Sequence, residues 1–163
     1  MEGSKLEEDV GDLLNERGLS IAVAESATGG LLSHMITNVP GSSNYFMGSV
    51  VSYDNEIKAR VLGVKKEILE QHGAVSRQTG EQMAEGVRKV MNVDIGLSDT
   101  GIAGPTGATT EKPVGLFYIG LSSKDGTHVE RHVFRGSRLE NKRSAAEATL
   151  SMLKEYLLKQ KGR

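Results

Sequence analysis

Ile21-Ala22-Val23-Ala24 is an apolar run too short for a core helix, and within a few residues it gives way to helical spacing at Leu31, Leu32, Met35 and Ile36. A short buried strand here feeds a helix. Between the two periodicities stand Glu25-Ser26-Ala27-Thr28-Gly29-Gly30. Ser26 thus lies at the mouth of a helix, where its hydroxyl can project from a tight turn while the free N–H groups of Thr28, Gly29 and Gly30 point outward. Such a serine is either a nucleophile with its own oxyanion hole or a simple helix cap.

Leu6, Val10, Leu13 and Leu14 predict an amphipathic first helix that stops near Gly18. A second strand is expected over Phe46–Tyr53, short helices over Asp54–Leu62 and Lys65–Gln71, and a longer one over Ser76–Met91. Strands are expected over Asp94–Asp99, Val114–Ser122 and Thr127–Phe134, followed by a last helix from Arg138 to about Gln160. Helices and strands alternate first and strands cluster later. The expectation is a three-layer α/β/α sandwich around a mixed, mostly parallel sheet of about five strands. With 163 residues, 37% of them hydrophobic, the whole of 1–163 reads as one domain.

Twenty basic residues nearly balance twenty-one acidic ones, so no global field draws the chain to nucleic acid or to an anionic membrane. The absence of cysteine excludes disulfides and thiol nucleophiles. The acidic start, Met1 to Asp9, carries no apolar leader, and no run approaches a membrane span. The expectation is a cytoplasmic protein with neither nucleic-acid nor membrane partner, and with a homo-oligomer left open.

Thr100-Gly101-Ile102-Ala103-Gly104-Pro105-Thr106-Gly107-Ala108 spaces its glycines three apart, lacks a following GK[ST] and runs into a strand, so it is neither a dinucleotide fingerprint nor a P-loop. It leaves the carboxyl end of a strand, where open α/β sheets hold their ligands, or else it is a long turn. In the last helix Ser137 and Glu140 have capping-box spacing. An inward stripe of Leu139, Arg143, Ala146, Leu150, Leu153 and Leu157 then puts Arg143 where leucine is expected, and with Arg138 and Lys142 it suggests an anion site. The alternative is that the first turn overhangs the core and Arg143 reaches water or a glutamate. Ser151-Met152-Leu153-Lys154 spells S-x-x-K, but on a solvent-facing helix surface. His128 and His132 fall on one expected strand, about 13 Å apart, too far for a shared metal. No metal and no cofactor are expected. If Ser26 is a nucleophile its activator is not a histidine, and Tyr53 and Lys58 are the candidates. A buried lysine whose pKa falls can take a serine proton, whereas an exposed one is only a solvated charge.

The blocks Ala24 to Gly30, Val39-Pro40-Gly41-Ser42-Ser43, Tyr53-Asp54-Asn55-Glu56-Ile57-Lys58, His72 to Ser76, Thr100 to Pro105 and Lys112-Pro113-Val114-Gly115 resemble, in order and over residues 5 to 159, the CinA C-terminal domain family. That resemblance implies an α/β/α fold and nicotinamide-nucleotide amidase activity, the hydrolysis of nicotinamide mononucleotide to nicotinate mononucleotide and ammonia. It implies Ser26 as nucleophile assisted by Tyr53 and Lys58. Thr28, Gly29, Gly30, Thr100, Gly101, Gly104, Gly107, Arg138 and Arg143 are then the residues nominated to hold the nucleotide substrate. The chain departs from the family at Ala27, where cysteine is frequent, at Ala108, where a glycine is, and at Ser137, where aspartate is. A hydrolase of another amide and a non-catalytic nucleotide-binding regulatory module are the alternative readings.

Overall fold

Helices cover both faces of a single five-stranded sheet. The computed structural model describes residues 5–160, so Met1–Ser4 of the acidic start lie outside the described residues. In chain order the elements are α1 (Lys5–Arg17), β1 (Ile21–Glu25), α2 (Leu31–Thr37), a 3-10 turn (Ser42–Asn44), β2 (Phe46–Val51), α3 (Asn55–Leu62), α4 (Lys66–His72), α5 (Arg77–Met91), β3 (Ile95–Gly101), β4 (Leu116–Ser123), β5 (Gly126–Val133) and α6 (Arg138–Lys159). Strand order is β2-β1-β3-β4-β5. β1 runs parallel to β2 and β3, while β4 is antiparallel to both β3 and β5. The sheet is thus evenly divided, because the tight turn joining β4 to β5 permits only antiparallel pairing.

The period-two alternation of the central strands separates the core into two layers. Ile21, Val23, Ile95 and Leu97 point to one face and pack with Val10, Leu14, Leu32, Leu150 and Leu153 of α1, α2 and α6. Ala22 and Ala24 point to the other, against Leu62, Met83 and Val87 of α3 and α5. Glu25 and Asp99 continue the first parity, yet both are fully buried at the carboxyl ends of β1 and β3. α5 is capped by Ser76, whose side chain accepts the Thr79 N–H at 3.1 Å. Gly86 lets α3 lean directly on α5, since a methyl group there would lie 1.9 Å from the Leu62 carbonyl oxygen. No helix among the described residues is long and apolar enough to cross a membrane.

Candidate active site

The turn after β1 is organised by two buried carboxylates. Glu25 accepts the N–H groups of Gly30 (3.2 Å), Leu32 (2.8 Å) and Ser33 (3.2 Å) and the Ser33 hydroxyl (2.6 Å), so it occupies the amino end of α2. Asp99 Oδ1 accepts the N–H groups of Ser26 (3.4 Å) and Thr28 (3.1 Å). Thr28 Oγ1 bridges the pair, hydrogen-bonded to Glu25 Oε1 at 2.7 Å and to Asp99 Oδ2. Gly29 N–H goes to the Ser26 carbonyl at 3.1 Å, and the positive φ angles of Gly29 (60°) and Gly30 (105°) allow the chain to double back into α2.

This arrangement corrects the expected oxyanion donors. The N–H groups of Thr28, Gly29 and Gly30 are all consumed inside the protein, those of Thr28 and Gly30 by the buried carboxyl groups of Asp99 and Glu25 and that of Gly29 by the Ser26 carbonyl. Ala27 N–H is different: it has no acceptor among the described residues and belongs to a residue that lines the cavity with Ser26. The Ser26 hydroxyl likewise makes no hydrogen bond to a described residue.

Lys58 comes to the same cavity from α3. Asp54 caps that helix by accepting the Glu56 N–H at 2.8 Å, which turns Lys58 inward at 1% exposure. Its amine donates to the carbonyl of Ser52 at 2.7 Å and more weakly to that of Tyr53 at 3.4 Å. Burial lowers its pKa, with Asp99 and Asp54 pulling the other way. Burial also pushes the Asp99 carboxyl up to about 7; the hydrogen bond from Thr28 opposes this and the neighbouring Glu25 adds to it.

The cavity holds about 300 Å³ and brings together Ser26, Tyr53 and Lys58 with Thr100, Gly101, Gly104, Gly107 and Arg138. Its glycine-rich wall is held by cross-links: Thr100 Oγ1 donates to the Ala74 carbonyl at 2.7 Å, and Lys112 Nζ donates to that of His72 at 2.7 Å. Tyr53 stands at the rim, 63% exposed, and its hydroxyl accepts from Arg138 at 3.1 Å while the same guanidinium donates to the Gly104 carbonyl at 2.8 Å. A broader depression of about 430 Å³, lined by Arg88, Lys89 and Lys124, opens at the other end of β3 and contains none of these groups.

Arg143 is not part of this assembly. It is exposed on α6 and acts on Glu7 of α1, whose carboxyl burial raises and Arg143 lowers. Leu139, from which the expected stripe was counted, is 74% exposed because the first turn of α6 overhangs the core. The inward register begins instead at Asn141, fully buried, which donates to the Ala103 carbonyl at 3.0 Å and accepts the Gly136 N–H at 2.9 Å. Asn141, Asp99 and Glu25 are the site residues that hydrophobic periodicity passes over. A carboxylate in the leucine parity of Ile95-Gly96-Leu97-Ser98-Asp99 was the available signal for the second.

A family model described as the CinA C-terminal domain matches residues 3–157. A protein named as competence-damage inducible from Desulforudis audaxviator is 48% identical over 154 residues, covering 94% of this chain and 37% of that protein. A CinA-like protein from Dictyoglomus thermophilum is 61% identical over 118 residues, covering 72% of this chain and 29% of its own length. The chain therefore spans well under half of these curated relatives. Among solved structures, a CinA superfamily protein from Klebsiella pneumoniae superposes with a TM-score of 0.93 at 27% identity, covering 98% of this chain and 100% of the other. The competence/damage-inducible protein CihA from Agrobacterium tumefaciens gives 0.87 at 34% identity, covering 98% and 99%. Matched along nearly its whole length by sequence model and by fold, the chain belongs to the CinA C-terminal domain family.

Proposed function

We propose that this chain is a serine amidase that hydrolyses nicotinamide mononucleotide to nicotinate mononucleotide and ammonia. The observation that carries the reading is the buried Lys58 amine, held by two main-chain carbonyls in the cavity that also contains Ser26. A neutral amine has two hydrogens and one lone pair. The carbonyls of Ser52 and Tyr53 engage the hydrogens, which leaves the lone pair for a proton from Ser26. Ser26 Oγ then attacks the carboxamide carbon, and its proton passes to Lys58. The Ala27 N–H, the one main-chain donor of the turn without an acceptor among the described residues, receives the oxyanion. Collapse breaks the C–N bond as Lys58 returns the proton, ammonia leaves, and an acyl ester remains on Ser26. Water attacks this ester as Lys58 takes its proton, and Lys58 hands that proton to Ser26 Oγ as the acyl C–O bond breaks, which restores the serine and releases the acid product, whose own proton goes to solvent.

Arg138 is the cation suited to the substrate phosphate. Two of its five N–H groups are spent on Gly104 and Tyr53, and the remainder are available at the cavity rim. The substrate is thereby gripped far from the reacting carbon, which aligns the amide with Ser26. Ammonia release from nicotinamide mononucleotide, its riboside and free nicotinamide tests the reading. Turnover should fall in that order and vanish in Ser26→Ala, which keeps its fold because the Ser26 hydroxyl bonds no described residue. Tight binding of the mononucleotide without any ammonia would replace the amidase with a nucleotide-binding module.

A further inference from the structure

The hydrogen bonds behind Ser26 contain a proton-counting problem. Thr28 Oγ1 carries one hydrogen but lies within hydrogen-bonding reach of two carboxyl groups, Glu25 Oε1 and Asp99 Oδ2. It can donate to only one of them. The other contact joins two bare acceptors unless that carboxyl itself carries a hydrogen. Both groups are fully buried, and two adjacent carboxylates in a dry interior do not both ionise. The donor inventory says which one holds the proton. Glu25 collects three backbone N–H groups and the Ser33 hydroxyl over its two oxygens, the environment of an anion. Asp99 receives its two N–H groups on Oδ1 alone, and Oδ2 meets only Thr28.

We propose that Asp99 works in its neutral, protonated form as a positioning residue, donating from Oδ2 to Thr28 while its carbonyl oxygen holds the N–H groups of Ser26 and Thr28. Thr28 in turn donates to Glu25, so one ordered chain of hydrogen bonds fixes the turn that carries Ser26. The neutral state matters electrostatically as well. Glu25 on β1 and Lys58 on α3 interact electrostatically with Asp99, and Lys142 of α6 brings its amine over Gly29 in the same turn. On the neighbouring β4 its partner is Ile119, and α5 and α6 turn uncharged residues to the sheet, among them Met83, Ala84 and Ala145. An ionised Asp99 would hold a proton on Lys58, whereas a neutral one leaves the amine free as a base. This last consequence rests on the role given to Lys58 above; the protonation state does not. The elevated pKa of Asp99 is consistent with the count.

Thermal melts of wild type and Asp99→Asn across pH test the protonation without substrate. A carboxyl raised from 3.8 unfolded to about 7 folded gives stability that is complete below 3.8 and lost as pH climbs to about 7. Asparagine reproduces the neutral acid, with its oxygen for the N–H groups and its amide for Thr28, and has no such loss. The Tm of Asp99→Asn minus that of wild type should therefore rise with pH over this interval and level off above it. A difference that is flat or falls would overturn the proposal. A measurement on the unaltered protein covers a variant that does not fold: with aspartate carboxyl carbons labelled, one resonance should keep its protonated position at about pH 5.5. All resonances at the ionised position would overturn the assignment.

The positioning role is read from kinetics. Asp99→Ala should lower kcat by about tenfold or more with KM changed less than about threefold, and Asp99→Asn should recover most of the loss. An asparagine variant no better than alanine would overturn the role. If wild type releases no ammonia, the proposed amidase falls and the melts still decide Asp99; if it does and the melts run the wrong way, only the Asp99 proposal falls.

Discussion

Lys58 shows how far a single side chain can be read before its surroundings are known. Tyr53 and Lys58 were legible as candidates from their block, but whether the lysine was a solvated charge or a base depended on burial, and burial depends on the Asp54 cap and on the end of β2 folding over the amine. Because burial lowers its pKa, Lys58 should set an acid limb in the pH profile of kcat/KM, activity rising as the amine loses its proton at a midpoint below the ordinary lysine value of 10.5. Lys58→Arg keeps the charge and gives up no proton near neutrality, so turnover should drop by at least about a hundredfold with KM largely kept. An arginine variant with near-normal turnover would remove Lys58 as the base. The two arginines of α6 invite a paired experiment. Arg138→Ala should cost roughly tenfold to a hundredfold in kcat/KM on the mononucleotide, as for one charge-assisted contact, and much less on the riboside. Arg143→Ala, exposed and facing α1, should leave the ratio between the two substrates unchanged. A ratio that moves for Arg143 and stays for Arg138 would reverse the assignment. The sequence could not separate them, since helical periodicity has no phase until one buried residue is known, and Leu139 supplied the wrong one.

At the level of elements, sequence patterning is most informative where an element buries one clean face and least where function interrupts it. All five strands and the long helices occur near their expected positions, α6 with the capping box that Ser137 and Glu140 announce. β2 ends at Val51 rather than Tyr53 because the chain turns there to present the carbonyls of Ser52 and Tyr53 to Lys58. β3 extends past Asp99 to Gly101, paired with Phe117 on β4, so a residue expected to close the strand lies inside it. Gly86 is the element-scale counterpart of these side-chain constraints. A methyl group there would collide with the backbone of α3 rather than with a flexible side chain, so Gly86→Ala must push the two helices apart. The expected loss is about 1–3 kcal/mol in denaturant unfolding, together with a fall in turnover because α3 carries Lys58. If Gly86→Ala unfolds at the wild-type midpoint, α3 and α5 are not seated against one another as described.

For the whole molecule, the division of the sheet also has a meaning in time. The antiparallel half is built from neighbours in sequence, since β4 and β5 meet across a turn that pairs Ser123 with Gly126. The parallel half and the reactive turn are not. Ser26 depends on Asp99, 73 residues further along, and the wall beyond them is tied to α6 through Asn141 and Ala103, 38 residues apart. Contacts between distant segments carry a larger loop-closure cost and form later than local ones. On a ribosome the order is stricter still, because Asp99 does not exist when Ser26 emerges. A nascent chain therefore exposes its serine as an ordinary hydroxyl, and the surroundings of Ser26 are complete only when the last helix has been made and docked.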